Sequence, residues 1–154
     1  MRRRGFLRGA ASAPAAALLG TPAIAQAAPR VVVVGGGFAG ATCARRLVAA
    51  GIATTLVEPA ASYLACPFSN LVVAGMRDIE EQRFGFDGLR AAGVAVAAQA
   101  ATVVDPIARR VALSDGIVLA YDRLVLAPGI EVRLDALPGY DAAASELMPH
   151  AWRA

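Results

Sequence analysis

Four consecutive valines, Val31 to Val34, run directly into Gly35-G-G-F-A-Gly40. An uninterrupted β-branched run predicts a strand buried on both faces, as in a parallel sheet. The glycines fall at Gly35, Gly37 and Gly40, and an apolar stretch from Ala39 to Ala50 follows, with Gly51 as its stop. That stretch predicts a helix whose small apolar face comprises Cys43, Ala44, Leu47 and Val48. A second strand, Thr54 to Glu58, then ends in an acid eighteen residues after Gly40. Strand, glycine turn, helix, strand and acid in that order form the pattern of a dinucleotide site. Gly35 permits the tight turn, Gly37 lets the backbone approach a pyrophosphate, and Gly40 lets the helix pack closely on the sheet. Phe38 and Ala39 stand at the entrance to the helix, whose N-terminal amides favour an anion, and Glu58 is placed to accept from ribose hydroxyls.

Beyond this unit, Phe86 to Gly93 predicts a short helix and stop, and Val94 to Ala98 a third strand. From Ala101 to Leu119 short β-prone runs alternate with turns at Asp105-Pro106 and Asp115-Gly116, predicting an antiparallel meander. Tyr121-D-R-L-V-L-A-P-Gly129 reads as a fourth sheet strand ending in A-P-G. The fold class is therefore α/β, a Rossmann-like parallel sheet with an antiparallel meander.

The charge balance excludes a nucleic-acid surface. Of fifteen basic residues, all arginine, four (Arg2, Arg3, Arg4 and Arg8) lie in the first ten positions; eleven remain against twelve acids. Phosphate-backbone binding needs clustered cations on a folded face. The start, R-R-R-G-F-L-R, followed by an alanine-rich run broken by Pro14, Gly20 and Pro22, resembles a twin-arginine export signal. Small residues before Ala28 supply a cleavage site, so residues 1–27 are expected to be removed and 28–154 to act in the periplasm. The broken run is too short for a permanent membrane span.

The two cysteines are read separately. Cys43 falls within the first predicted helix, where a thiol serves as a small apolar group. Cys66 lies in the loop Tyr63-L-A-C-P-F-S-Asn70, and the position five residues further on is Leu71, so no C-x4-C redox pair can form there. The residues leave three readings for Cys66: a structural thiol, a free reactive thiol, or an attachment point.

The element order resembles the FAD domain of two-dinucleotide-binding flavoproteins. On that resemblance Ala127, Pro128 and Gly129 match an A-T-G position with Pro replacing Thr, and Ala101 matches a position whose backbone touches adenine. NAD domains generally lack the meander here, so the resemblance implies FAD. Within that superfamily the chain is similar to the flavoprotein subunit of flavocytochrome c sulfide dehydrogenase. The similarity rests on V-V-V-V-G-G-G-F-A-G-A-T, L-V-E-P, Y-L-A-C-P-F-S-N, F-D-G-L-R-A-A-G-V, Y-D-R-L-V-L-A-P-G-I-E and M-P-H-A-W. It implies FAD bound covalently through the Cys66 sulfur, sulfide as substrate, and a c-type cytochrome as electron acceptor. It also implies a longer protein with a second dinucleotide-like domain and a redox cysteine pair, which leaves the fourth strand at an open edge. Sulfide:quinone and NADH-type reductases, or a non-catalytic FAD-binding remnant, are the competing expectations. His150 is read as a packing or capping residue, Trp152 and Tyr140 as core or interface residues, Ser69 and Asn70 as loop hydrogen-bonders, and Arg77-D-I-E-E-Q-Arg83 as a solvated face.

Overall fold

A computed structural model describes residues 29–148. The expected signal peptide, His150 and Trp152 lie outside the described residues. Strand β1 (Val31–Val34) leads into helix α1 (Phe38–Ala49), and β2 (Thr54–Val57) returns parallel to β1. A small antiparallel pair, β3 (Ser62–Leu64) and β4 (Arg83–Gly85), brackets the short helix α2 (Ser69–Val73) and a 3-10 turn, Ile79–Gln82. Helix α3 (Asp87–Ala91) precedes β5 (Ala95–Ala97), which pairs parallel to β2. The meander comprises β6 (Ala101–Asp105), β7 (Arg110–Leu113) and β8 (Val118–Ala120). Strand β9 (Arg123–Leu126) then rejoins the parallel sheet beside β1, and α4 (Ala142–Leu147) follows. The sheet order is β5-β2-β1-β9, so β9 forms an edge of the described sheet.

The valine run is explained by two apolar layers. Val31 and Val33 face Ala44, Leu56, Phe86 and Val94 on the helical side. Val32 faces the other way, toward Val111, Leu113 and Tyr121 of the meander and its exit. Side chains alternate along a strand, so a sheet covered on both faces needs an apolar residue at every position. Leu56 and Val57 repeat the division on β2.

Chain punctuation follows the sequence. Gly51 has φ 77°, and the amides of Gly51 and Ile52 donate to Val48 and Leu47 at 2.9 and 3.0 Å, the paired bonds of a Schellman ending. The same arrangement closes α3 through Gly93 and Val94. In the meander, the Asp105 carboxylate accepts from the amides of Ile107 and Ala108, and Asp115 accepts from Ile117. These bonds turn the chain where the D-P and D-G pairs stand. The run Arg77–Arg83 is more ordered than a solvated face. Asp78 and Glu81 form a reciprocal capping box at the head of the 3-10 turn, and Gln82 is buried. Among the described residues no helix is long and apolar enough to cross a membrane.

Candidate dinucleotide site

The site forms where β1, β2 and β9 end together. Gly35 donates to the Val57 carbonyl at 2.9 Å, and Ala127 donates to the Val34 carbonyl at 2.8 Å. With φ at 99° and the Ala127 carbonyl against it, Gly35 has neither the backbone freedom nor the room for a side chain. Gly40 is equally closed, because a Cβ there would run into the Gly35 oxygen and come within 3.3 Å of Val33 Cγ1. The helix can therefore begin directly against the turn.

Gly37 differs. A Cβ at this position would meet only the Tyr63 ring, at 3.5 Å, an ordinary contact. The protein itself does not require glycine there, so the space beside Gly37 is available to a ligand. Gly37 is also the N-cap of α1, with no side-chain cap and no acid in the first turn. Phe38 and Ala39 are exposed. The first amides of a twelve-residue helix thus keep their positive partial charge for an outside acceptor. An open cradle and an uncapped helix mouth fit the pyrophosphate of a dinucleotide.

Glu58 sits half-buried beside this turn. Its Oε2 accepts from Gly36 at 2.6 Å and its Oε1 from Ala60 at 2.8 Å, while its own amide donates to Ala97 at the end of β5. Two carboxylate lone pairs are used in holding the loop, and the others stay available for ribose hydroxyls. Gly36 was not distinguished by the sequence reasoning, although it is the middle member of the glycine triplet. A Cβ on it would lie 2.7 Å from both Glu58 Cγ and Phe86 Cζ. Its glycine is what lets the acid reach the loop.

Cys66 is a half-buried free thiol in the turn between β3 and α2. Its carbonyl accepts from Ser69 at 3.0 Å, and Phe68 in that turn adopts φ 70°, a strained value for a side chain of its size. The loop is tied to the glycine turn through Tyr63, whose ring meets Phe38 edge-on at 5.1 Å. Burial, and secondarily the negative charge of the Cys66 thiolate, push the Tyr63 phenol above its usual range. A cleft of about 360 Å³ lies here, lined by Gly36, Gly37, Phe38, Arg45, Tyr63 and Phe86 among others. Tyr63 and Phe86 are site residues that the sequence did not single out, since their partners are remote in the chain.

The structure thus brings Gly35, Gly37, Phe38, Ala39, Gly40, Glu58 and Ala127 to one end of the sheet. Pro128 and Gly129 follow Ala127 on the exposed exit from β9, where Gly129 has φ 84°. Ala101 stands apart at the start of β6, opposite Leu113, just beyond the end of β5.

Comparison with known proteins agrees with this fold. Residues 29–151 match the model of the pyridine nucleotide-disulphide oxidoreductase family. A sulfide dehydrogenase [flavocytochrome c] flavoprotein chain from Chlorobaculum thiosulfatiphilum is 56% identical over 45 residues, 28% of this chain and 94% of that sequence. An NADH dehydrogenase-like protein of Mycobacterium tuberculosis (strain CDC 1551 / Oshkosh) is 40% identical over 117 residues, 71% of this chain and 29% of that protein. Among solved structures, the sulfide:quinone oxidoreductase of Aquifex aeolicus superposes with a TM-score of 0.61 at 28% identity, over 69% of this chain and 25% of that one. The chain therefore spans less than a third of the mycobacterial protein and of the Aquifex structure. This chain belongs to the pyridine nucleotide-disulphide oxidoreductase family of FAD-dependent oxidoreductases.

Proposed function

We propose that this chain is the FAD-binding portion of a periplasmic sulfide dehydrogenase, exported by the twin-arginine pathway, that passes electrons from sulfide to a c-type cytochrome. The observation that carries the reading is the Cys66 loop, whose strand β3 places Tyr63 against Phe38 at the mouth of α1. A cofactor whose pyrophosphate rests at Gly37 can extend along β3 toward the Cys66 sulfur. The short match to the Chlorobaculum flavoprotein chain supports the same assignment.

On this reading the amides of α1 and the space at Gly37 hold the pyrophosphate, and Glu58 holds the adenosine ribose. Ala101 borders the adenine, while Ala127, Pro128 and Gly129 border the cofactor where β9 ends. Cys66 would hold the flavin through a thioether to its 8α carbon, the thiol proton and one methyl proton being released as dioxygen or the haem partner takes up the two electrons. Bound FAD supplies the two-electron acceptor for hydrosulfide, which yields sulfur and a proton. The tether retains the cofactor in a compartment without a free FAD pool.

A second reading is favoured by the mycobacterial and Aquifex likenesses: a reductase with noncovalent FAD that uses quinone or NADH. Purified full-length protein is mixed with sulfide and either a c-type cytochrome or a short-chain quinone, and separately with NADH. Cytochrome reduction that requires sulfide supports the dehydrogenase. Quinone reduction in its place, or NADH oxidation without sulfide, overturns it.

A further inference from the structure

At the end of the 3-10 turn that leads into β4 lies a buried donor with nothing to donate to among the described residues. Gln82 is 3% exposed, and its Nε2 has no hydrogen-bond partner among the described residues. Its backbone carbonyl accepts from Ala65 at 2.9 Å, which extends the pairing of Leu64 with Arg83 by one rung. Gln82 closes the 3-10 turn immediately before β4, and its bond to Ala65 stands two rungs from the pair of Tyr63 and Phe84. Ala65 and Gln82 are both buried, whereas Arg83 and Phe84 are exposed. Tyr63 joins this unit to the glycine loop, since its ring lies 3.5 Å from the Cβ position of Gly37 and meets Phe38. Arg77 Nε also lacks hydrogen-bond geometry, but it keeps the Glu81 carboxylate at 3.4 Å. The Gln82 amide has no such neighbour among the described residues. An amide donor buried without an acceptor is destabilising, and its persistence points to an acceptor that arrives later.

The order along β3 identifies that acceptor. Tyr63 stands level with Gly37, where the pyrophosphate is placed, and Cys66 stands at the flavin end. Gln82 meets the strand between them, at Ala65. Three residues of strand cover about 10 Å, and the part of FAD between its phosphates and its ring is the ribityl chain, a polyol with hydroxyl oxygens that accept. We propose that Gln82 is a cofactor-binding residue whose Nε2 donates to a ribityl hydroxyl of FAD. The proposal rests on the FAD reading above and adds a residue to it.

The test uses full-length protein carrying Cys66→Ser, so that binding is reversible, with and without Gln82→Leu. Gln82→Met, of similar length and equally without a donor, serves if the leucine variant misfolds. FAD and ADP are titrated separately into flavin-depleted protein; ADP carries the adenine, ribose and pyrophosphate but no ribityl chain. The expected result is FAD binding weakened about tenfold, the loss of one buried donor, with ADP binding unchanged and the flavin-free protein at least as stable. Unchanged FAD affinity overturns the proposal, as does an equal loss for FAD and ADP. If neither ligand binds before Gln82 is changed, the FAD reading itself fails, a separate result.

Discussion

Gly40→Ala is the substitution for which local propensity and packing make opposite forecasts. Gly40 lies inside α1, and alanine is favoured over glycine in a helix interior by about 1 kcal/mol. The new Cβ, however, would sit under 3.0 Å from the Gly35 carbonyl oxygen, and 3.3 Å from Val33 Cγ1. Both obstacles belong to the core strand and its turn, and the oxygen is backbone, so no rotamer change relieves it. The mouth of α1 must move outward by about 1 Å, and overpacking of this kind costs about 3 kcal/mol when backbone is displaced. The net forecast is destabilisation by about 2 kcal/mol. Urea unfolding of flavin-depleted protein, followed by circular dichroism, measures it without the stabilisation that bound cofactor adds. Gly88→Ala in α3 is the internal control, because no heavy atom lies within 4 Å of its Cβ position. There propensity acts alone, and the variant should gain up to about 1 kcal/mol. Equal stabilisation by both substitutions would refute the packing argument.

Glu58→Ala removes two acceptors from amides of the glycine loop and the residues after β2. Flavin-free stability should fall by about 1.5–3 kcal/mol, as for hydrogen bonds to a charged group, and flavin retained after gel filtration should fall with it. Asp122 is held below the usual carboxylate range by the Arg30 backbone amide and then by its guanidinium. A carboxyl depressed in the folded state adds stability that is complete above its ordinary value and lost as pH falls through the lowered one. Asp122→Asn should accordingly flatten the acid limb of the stability–pH curve and leave the limb above neutrality unchanged, as read by thermal melting across a pH series.

The sequence made the β1–α1–β2 unit legible because its signals are local and redundant. The valine run, the glycine spacing, Gly51 and Glu58 each point to the same unit. The meander was legible through Asp105 and Asp115, whose carboxylates cap their own turns. The pairing of β3 with β4 was not. Each strand has three residues, seventeen or more positions separate partners such as Tyr63 and Phe84, and no turn motif announces them. Helix α2 was missed for a related reason, since its N-cap is Phe68 in a left-handed conformation rather than a capping residue. The capping box at Asp78 and Glu81 did carry a readable signal, D-x-x-E, but the surrounding charges suggested only a solvated face. Helix α4 likewise carried one in Asp141, whose side chain accepts from the Ala144 amide. What separates the two classes is range. Contacts within a few residues write themselves into the sequence, whereas the contacts of Tyr63 with Phe38 and of Gly36 with Phe86 exist only after the chain has folded.

The proposed function rests on a dinucleotide lying across the mouth of α1 with its flavin end at the Cys66 sulfur. Peptic digestion of the exported full-length protein after acid precipitation, followed by mass spectrometry of the yellow fraction, reads that placement at the sulfur itself. The account predicts one flavin-bearing peptide that contains Cys66, heavier than the bare peptide by FAD or by its FMN remnant. Yellow colour left wholly in the acid supernatant, with the Cys66 peptide at its unmodified mass, would contradict it.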